Sequence, residues 1–176
     1  MDLFDAIASR YSYRGQFTDA PVPRPDLERI VQAGIPAPSA CNQQIATFVI
    51  VDDPALLRQI AQIVDDPVCH TAKAIIVCVA DPRPVYANFS FAAEDCAAAV
   101  ENMLLAITAL GYASVWLDGV LRTEDRAIRI GRVLGVPAGR TIRILLPIGV
   151  PTEPGEQRER FAFDQRAWFN RYGARD

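Results

Sequence analysis

Ala74-Ile75-Ile76-Val77-Cys78-Val79-Ala80 carries an apolar residue at every position. A strand with one wet face alternates apolar and polar side chains, so a short unbroken run predicts a strand covered on both faces. The run is therefore expected to be an inner strand of a sheet held between helical layers. Upstream, Thr47-Phe48-Val49-Ile50-Val51 is rich in β-branched and aromatic residues and closes at Asp52-Asp53-Pro54. Asp53-Pro54 reads as the cap and first residue of a helix through Ile63.

Downstream, the alanine-rich segment Phe91 to Leu110 predicts a long helix stopped at Gly111. Its polar residues Glu94, Asp95, Glu101, Asn102 and Thr108 recur near a seven-residue spacing, which confines them to one narrow stripe. A helix so widely apolar in so small a chain is expected to be buried in a subunit interface as well as in the core. Ala113 to Leu117 and Thr141 to Ile148 read as two further strands, with a helix between them capped by Thr123 and ended at Gly135. Near the N-terminus, Asp2 caps a short helix to about Ser9. Pro25-Asp26 opens a second through Leu27, Ile30 and Val31 that Gly34 and Pro36 stop. After Gly149-Val150-Pro151 the chain turns polar, so residues 151–176 are expected to form an arm. The class expected from these elements is α+β or α/β, with about four strands covered by helices on both faces.

The bulk composition narrows the function classes. The 176 residues are 51% hydrophobic and 22% charged, which suits one globular domain, 1–176. With 18 basic against 21 acidic residues and a net charge of −3, no basic stripe appears that would track nucleic acid. The start, Met1-Asp2-Leu3-Phe4-Asp5, is acidic where a secretory signal is basic. The apolar stretch from Cys96 to Leu110 is interrupted by Glu101 and Asn102 and falls short of the roughly twenty residues a bilayer demands. Cys41, Cys69, Cys78 and Cys96 form no C-x-x-C pair. These features predict a soluble, cytoplasmic protein without a membrane or metal partner.

Three segments could carry chemistry. In Arg10-Tyr11-Ser12-Tyr13-Arg14 an extended backbone puts Arg10, Ser12 and Arg14 on one side and both tyrosines on the other. Two guanidinium forks and a hydroxyl suit a phosphate. The same pattern also fits a helix exit with solvated arginines, which is the commoner case. Arg158 and Arg160 form a second basic pair. Pro36-Ala37-Pro38-Ser39-Ala40-Cys41-Asn42-Gln43-Gln44 is a stiff loop. Asn42 and Gln44 each offer a donor and an acceptor to a heterocycle edge, or else satisfy the loop's own backbone. Asp118-Gly119, after a strand, presents backbone amides and space for a flat ligand, or forms an ordinary turn. A thiol site built from Cys41 and the single histidine, His70, is a separate possibility.

Taken in order, Arg10-x-Ser12-x-Arg14, Pro21-Val22-Pro23, Ala37-Pro38-Ser39-Ala40-x-Asn42-x-Gln44, Leu110-Gly111-Tyr112-Ala113-Ser114-Val115-Trp116 and Pro147-Ile148-Gly149-Val150-Pro151 resemble the nitroreductase family from about Leu3 to Arg160. The resemblance implies the α+β class, an α/β sandwich with a mostly antiparallel sheet of about four or five strands and helices on both faces, and FMN seated between the two subunits of a homodimer. It implies that Arg10, Ser12 and Arg14, with Arg158 or Arg160, hold the FMN phosphate. Asn42 and Gln44 would then meet the flavin and ribityl groups, Pro38 and Ser39 would shape that wall, and the backbone at Asp118 and Gly119 would lie near flavin N5 and O4. The implied reaction is ping-pong transfer from NAD(P)H to a nitroaromatic or quinone, with a flavin-binding module without turnover as the alternative. No dinucleotide fingerprint is present, since Gly131, Gly135 and Gly139 do not form G-x-G-x-x-G. Ile45-Ala46 stand where family members often have Pro-Trp, and Asp81 to Ser90 is short where larger relatives carry lid helices.

Overall fold

The computed structural model describes residues 1–174. In chain order it contains α1 (Leu3–Ser9), α2 (Arg24–Gly34), β1 (Ala46–Val51), α3 (Pro54–Val64), α4 (Pro67–Thr71), β2 (Ala74–Ala80), α5 (Ala92–Ala109), β3 (Ala113–Ser114), α6 (Arg126–Leu134), β4 (Thr141–Gly149) and α7 (Phe163–Arg166). The four strands form one sheet in the order β1-β2-β4-β3, and every neighbouring pair is antiparallel.

All seven residues of β2 are buried, as its unbroken apolar run predicts. Its side chains divide by parity between two hydrophobic clusters. Ile75, Val77 and Val79 join Leu57, Ile60, Val64 and Ile130 on the face covered by α3, α4 and α6. Ile76 and Cys78 join Leu27, Ile30, Val100 and Met103 on the face covered by α2 and α5. Burying one such aliphatic side chain contributes roughly 1.5 to 3 kcal/mol, so the sheet is sealed from both sides by its own pleat.

The register of β4 shifts opposite Cys78 and Val79, skipping Arg143. One extra residue reverses the parity of a strand. Ile142 therefore packs in one cluster and Ile144 in the other.

Some elements differ from expectation, for identifiable reasons. The strand expected over Ala113 to Leu117 is a ladder only at Ala113 and Ser114, resuming as a single bridge between Leu117 and Leu145. The partner positions between these are Leu146 and Pro147, and Pro147 has no N–H to donate and so interrupts the ladder. Thr123 does not cap α6. Its hydroxyl instead donates to the Val120 carbonyl (3.2 Å) and accepts from Arg126 (2.7 Å), and the helix starts after Glu124 and Asp125, both left-handed. The short α4, capped by Asp66 at the Val68 amide (3.1 Å), is an addition to the expected elements. Asp95, placed by its spacing in a polar stripe, is buried.

α1 covers little of itself: Leu3, Phe4 and Ile7 are exposed, and Ala6 alone among its residues is buried. The arm after β4 carries α7 and leaves Phe161, Phe163, Phe169 and Tyr172 exposed. Its last two residues, Arg175 and Asp176, lie outside the described residues. Among the described residues no helix is long and apolar enough to cross a membrane, and no group of His, Cys, Asp and Glu could hold a metal ion. The four cysteines are free, Cys41 exposed and the others buried.

Candidate functional site

The Arg10–Arg14 segment follows α1 with the alternation its sequence predicts. Tyr13 is buried against Phe17, with ring centroids 5.2 Å apart, and its N–H donates to the Ser114 carbonyl at 2.9 Å. Ser12 and Arg14 are exposed on the opposite side. The side chain of Arg10 is largely covered and lies 3.5 Å from Glu101 of α5.

The chain leaving β4 runs back along this segment. The Thr18 amide donates to Val150 O at 2.8 Å, and the Thr152 amide to Gln16 O at 3.0 Å. The Gln157 carboxamide donates to Arg10 O at 2.9 Å. Gly155 lies flat on the Tyr11 ring, where any β-carbon would collide. Arg158 thus begins one residue beyond a group bonded to Arg10. Among the described residues Arg14, Arg158 and Arg160 take part in no ion pair, so their donors are available to an outside anion.

The loop carrying Pro38, Ser39, Asn42 and Gln44 is held under strain. Cys41, Asn42 and Gln44 have φ of 49°, 53° and 49°. Left-handed backbone at a non-glycine residue is costly, persists only where the surroundings enforce it, and clusters at functional sites. The enforcing bonds are the Ala40 amide on Asp95 Oδ1 (2.9 Å) and the Gln44 amide on Ser39 Oγ (3.0 Å). Ser39 and Asp95, rather than the side chains of Asn42 and Gln44, therefore accept these loop amides. Those two carboxamides are exposed, and the contacts of Gln44 Nε2 with the Asn42 carbonyl and with Asn42 Oδ1, both at 3.5 Å, are at the limit of a hydrogen bond. Behind the loop lies a cavity of about 130 Å³ lined by Ile35, Pro38, Phe48 and Asp95.

Asp118 and Gly119 follow the Leu117 bridge. The Asp118 carboxylate receives both Arg122 Nε (2.9 Å) and Nη2 (2.7 Å), with Arg143 at 4.0 Å. The Arg122 hydrogen bond holds its carboxyl below the ordinary value, and the nearby guanidinium charges of Arg122 and Arg143 add to this. The 3₁₀ turn Gly119–Arg122 closes with Leu121 N–H on Asp118 O (2.9 Å). The first amides of such a turn, at Gly119 and Val120, have no partner within it. Gly119 is exposed, and a β-carbon there would meet nothing within 4 Å. Neither packing nor left-handed backbone inside the chain calls for glycine at this position, whereas close approach of a flat ligand would.

Each segment also borders a buried polar atom without a hydrogen-bond partner: Asp95 Oδ2, Ser114 Oγ and Arg143 Nε. Buried polar atoms are ordinarily satisfied, and exceptions concentrate where function outweighs stability.

The structure brings Arg10–Arg14, the arm and the strand leading to Asp118 together, and sets the Pro38–Gln44 loop apart. Glu101 and Asp95, the α5 contacts of the two regions, are about 9 Å apart along the helix and roughly 120° around it. Cys41 and His70 are not brought together: Cys41 sits on the α5 side of the sheet and His70 on α4, across it.

The profile of the nitroreductase family matches residues 7–71 and 64–150, most of the chain. The chain belongs to the nitroreductase family. A relative from Archaeoglobus fulgidus, provisionally named an NADH dehydrogenase/NAD(P)H nitroreductase, is 33% identical over 138 residues, covering 78% of this chain and 79% of its own. An NADPH-flavin oxidoreductase from Vibrio harveyi is 25% identical over 171 residues, covering 90% and 70%. A solved FMN-dependent nitroreductase from Clostridium difficile superposes with a TM-score of 0.81 at 22% identity, covering 96% of this chain and 99% of that one. Within this nitroreductase fold, sequence reasoning missed Asp95, which anchors the loop, and Gln157, which ties the arm to Arg10. Asp95 stands beside Glu94 in the first turn of α5 and looks like any other acid there, because its partner Ala40 lies 55 positions away.

Proposed function

We infer that this chain is an FMN-dependent oxidoreductase that accepts electrons from NAD(P)H and passes them to an electron-poor acceptor such as a nitroaromatic or a quinone. The observation that carries this reading is the combination of unpaired arginines, strained carboxamide loop and open Gly119 turn in a nitroreductase fold. Each answers one part of FMN. Arg14, Arg158 and Arg160, with Ser12 and the Glu101-held Arg10, offer bidentate donors to a terminal phosphate. Asn42 and Gln44, freed from loop duty by Ser39 and Asp95, offer donors and acceptors to a ring edge, with Pro38 and Ser39 as the wall behind them. The Gly119 and Val120 amides offer donors where negative charge gathers on reduction.

FMN, when bound, supplies the hydride and electron chemistry, and the protein supplies binding, orientation and electrostatics. The side chains at hand fit that division. Asp118 is locked to Arg122, and His70 lies across the sheet. Neither Asp118 nor His70 is therefore poised as a general acid or base.

The same reading makes the protein a homodimer of one-domain chains, 1–176, working in the cytoplasm. Two regions on different faces of α5 would both contact one ligand if the loop of one copy faced the arginines of the other. The exposed Leu3, Phe4 and Ile7 of α1 and the arm's Phe161, Phe163, Phe169 and Tyr172 supply apolar surface for such an interface.

The test is the visible spectrum of the purified protein, followed by chromatography of the flavin released on denaturation and an NAD(P)H oxidation assay. A yellow protein that releases FMN and oxidises NAD(P)H with menadione present is the expected result. A protein that stays colourless with added FMN would refute the reading. A yellow protein without turnover would leave a flavin-binding module.

A further inference from the structure

Between β2 and α5 the chain makes a hairpin that the fold itself does not require. Tyr86 and Phe89 form an isolated antiparallel bridge, with the Phe89 amide on Tyr86 O at 2.8 Å and the Val85 amide on Phe89 O at 2.9 Å. The two residues at its tip, Ala87 and Asn88, have φ of 45° and 66°. These are the two positive values of a type I′ turn, which asparagine tolerates and alanine resists. The strained tip presents two large rings to solvent, Tyr86 at 65% and Phe89 at 66% exposure.

The hairpin is fixed, and it is fixed to the candidate site. The Asp81 amide donates to Ile45 O at 3.1 Å, and Arg83 Nη2 donates to Gln43 Oε1 at 3.2 Å. The Asp81 carboxylate pairs with Arg83 (3.6 Å) and Arg140 (3.5 Å). Val85 packs into the cluster under α2 and α5, and Pro82 and Pro84 stiffen the approach. The two rings are therefore tethered beside the loop of Asn42 and Gln44. The two guanidiniums tied to this hairpin, Arg83 and Arg140, are engaged by Asp81 and Gln43.

We propose that Tyr86 and Phe89 determine acceptor specificity, forming a fixed aromatic wall at the rim of the site against which a neutral, planar aromatic or quinoid acceptor stacks. The proposal rests on the function inferred above and adds the residues that select its substrate. A preset wall costs the acceptor little ordering on binding, which explains why strain is retained at Ala87. Because the hairpin rides on the Gln43 loop, the wall would be supplied by the copy that supplies that loop.

The test compares menadione, a neutral planar quinone, with ferricyanide, a compact octahedral anion that has no face to stack, under saturating NADH and normalised to bound FMN. The proteins are wild type, Tyr86→Leu, Phe89→Leu and Ala87→Gly. Aromatic stacking is worth about a two- to tenfold change in binding. Each Leu variant should raise KM for menadione by about that factor and leave KM for ferricyanide within about twofold. Ala87→Gly keeps both rings and loosens the turn, so it should raise menadione KM by a smaller factor. An unchanged menadione KM at full FMN occupancy, or equal changes for both acceptors, overturns the proposal. So does dissociation of the Leu variants into monomers, which would assign the rings to a subunit contact. A wild-type chain that takes up no FMN overturns the inferred function and this proposal with it.

Discussion

β2 and the Pro36–Ile45 loop face the same helix, α5, and obey opposite rules. In β2 no residue stands left-handed, the interior is mostly β-branched, and every side chain is buried. In the loop three non-glycine residues stand left-handed, two carboxamides point to water, and the anchor Asp95 keeps one oxygen unpartnered. Agreement between local preference and final structure is what stabilises a fold, and violations persist where something besides stability is selected. The comparison supports a division that we propose: stability to the sheet, and ligand contact to the loop and its two companion segments.

The contrast breaks first if the sheet is not the stabilising part. Ile76→Ala, at a fully buried position of β2, should cost about 2 to 5 kcal/mol in chemical denaturation. A loss below about 1 kcal/mol would mean that the two-sided packing is looser than it looks.

Next in size is Arg14→Ala, which should weaken FMN binding by about 1.5 to 3 kcal/mol while leaving the denaturation midpoint nearly unmoved. Titration with riboflavin, which lacks the phosphate, should barely register the change. Equal losses for both ligands would show that Arg14 does not meet the phosphate.

Cys41→Gly sharpens the comparison from the loop side. Glycine enters the left-handed region freely, and this gain is partly offset by the entropy it adds to the unfolded chain. Stability should hold or rise by up to about 1 kcal/mol, measured by urea denaturation. A clear destabilisation would mean that the Cys41 side chain, not the loop's function, accounts for the conformation.

The smallest effect concerns Asp118. Its folded carboxyl is held below the ordinary value of 3.8 by the Arg122 hydrogen bond. A depressed carboxyl contributes stability above its unfolded value that is lost as pH falls through the folded one. Asp118→Asn should therefore flatten the acid limb of the stability curve below about pH 4 and leave pH 7 turnover per bound flavin within a few-fold of wild type. A thousandfold loss of turnover at full FMN occupancy would put a side chain in the chemistry.

The sheet was legible in the sequence because strand burial is written locally. The unbroken apolar run of β2, the Asp53-Pro54 start of α3 and the Gly111 stop of α5 need no knowledge of distant residues. The alternation of Arg10, Ser12 and Arg14 against two tyrosines was legible for the same reason. Local reading failed where a partner far along the chain decides the outcome. Pro147 cuts short β3, over thirty positions upstream. Asp95 looks like one polar residue among several until Ala40 is folded onto it, and Arg83 looks like a surface charge until Gln43 meets it. The left-handed start of α6 at Glu124 and Asp125 gave no signal either, since neither residue type favours that backbone enough to forecast it.

The central claim is that one ligand site draws its arginines from one copy and its strained loop from another. Mixing two defective proteins tests it directly. Arg14→Ala carries the first defect, and the paired change Asn42→Ala with Gln44→Ala carries the second. After unfolding and refolding together, half the dimers should be mixed, and each mixed dimer should hold one site with both defects and one with neither. Tight FMN binding is then predicted to return to about one quarter of all sites, although neither protein alone shows it. A mixture that binds FMN no better than its two components would mean that each chain builds its own site, and would contradict the account.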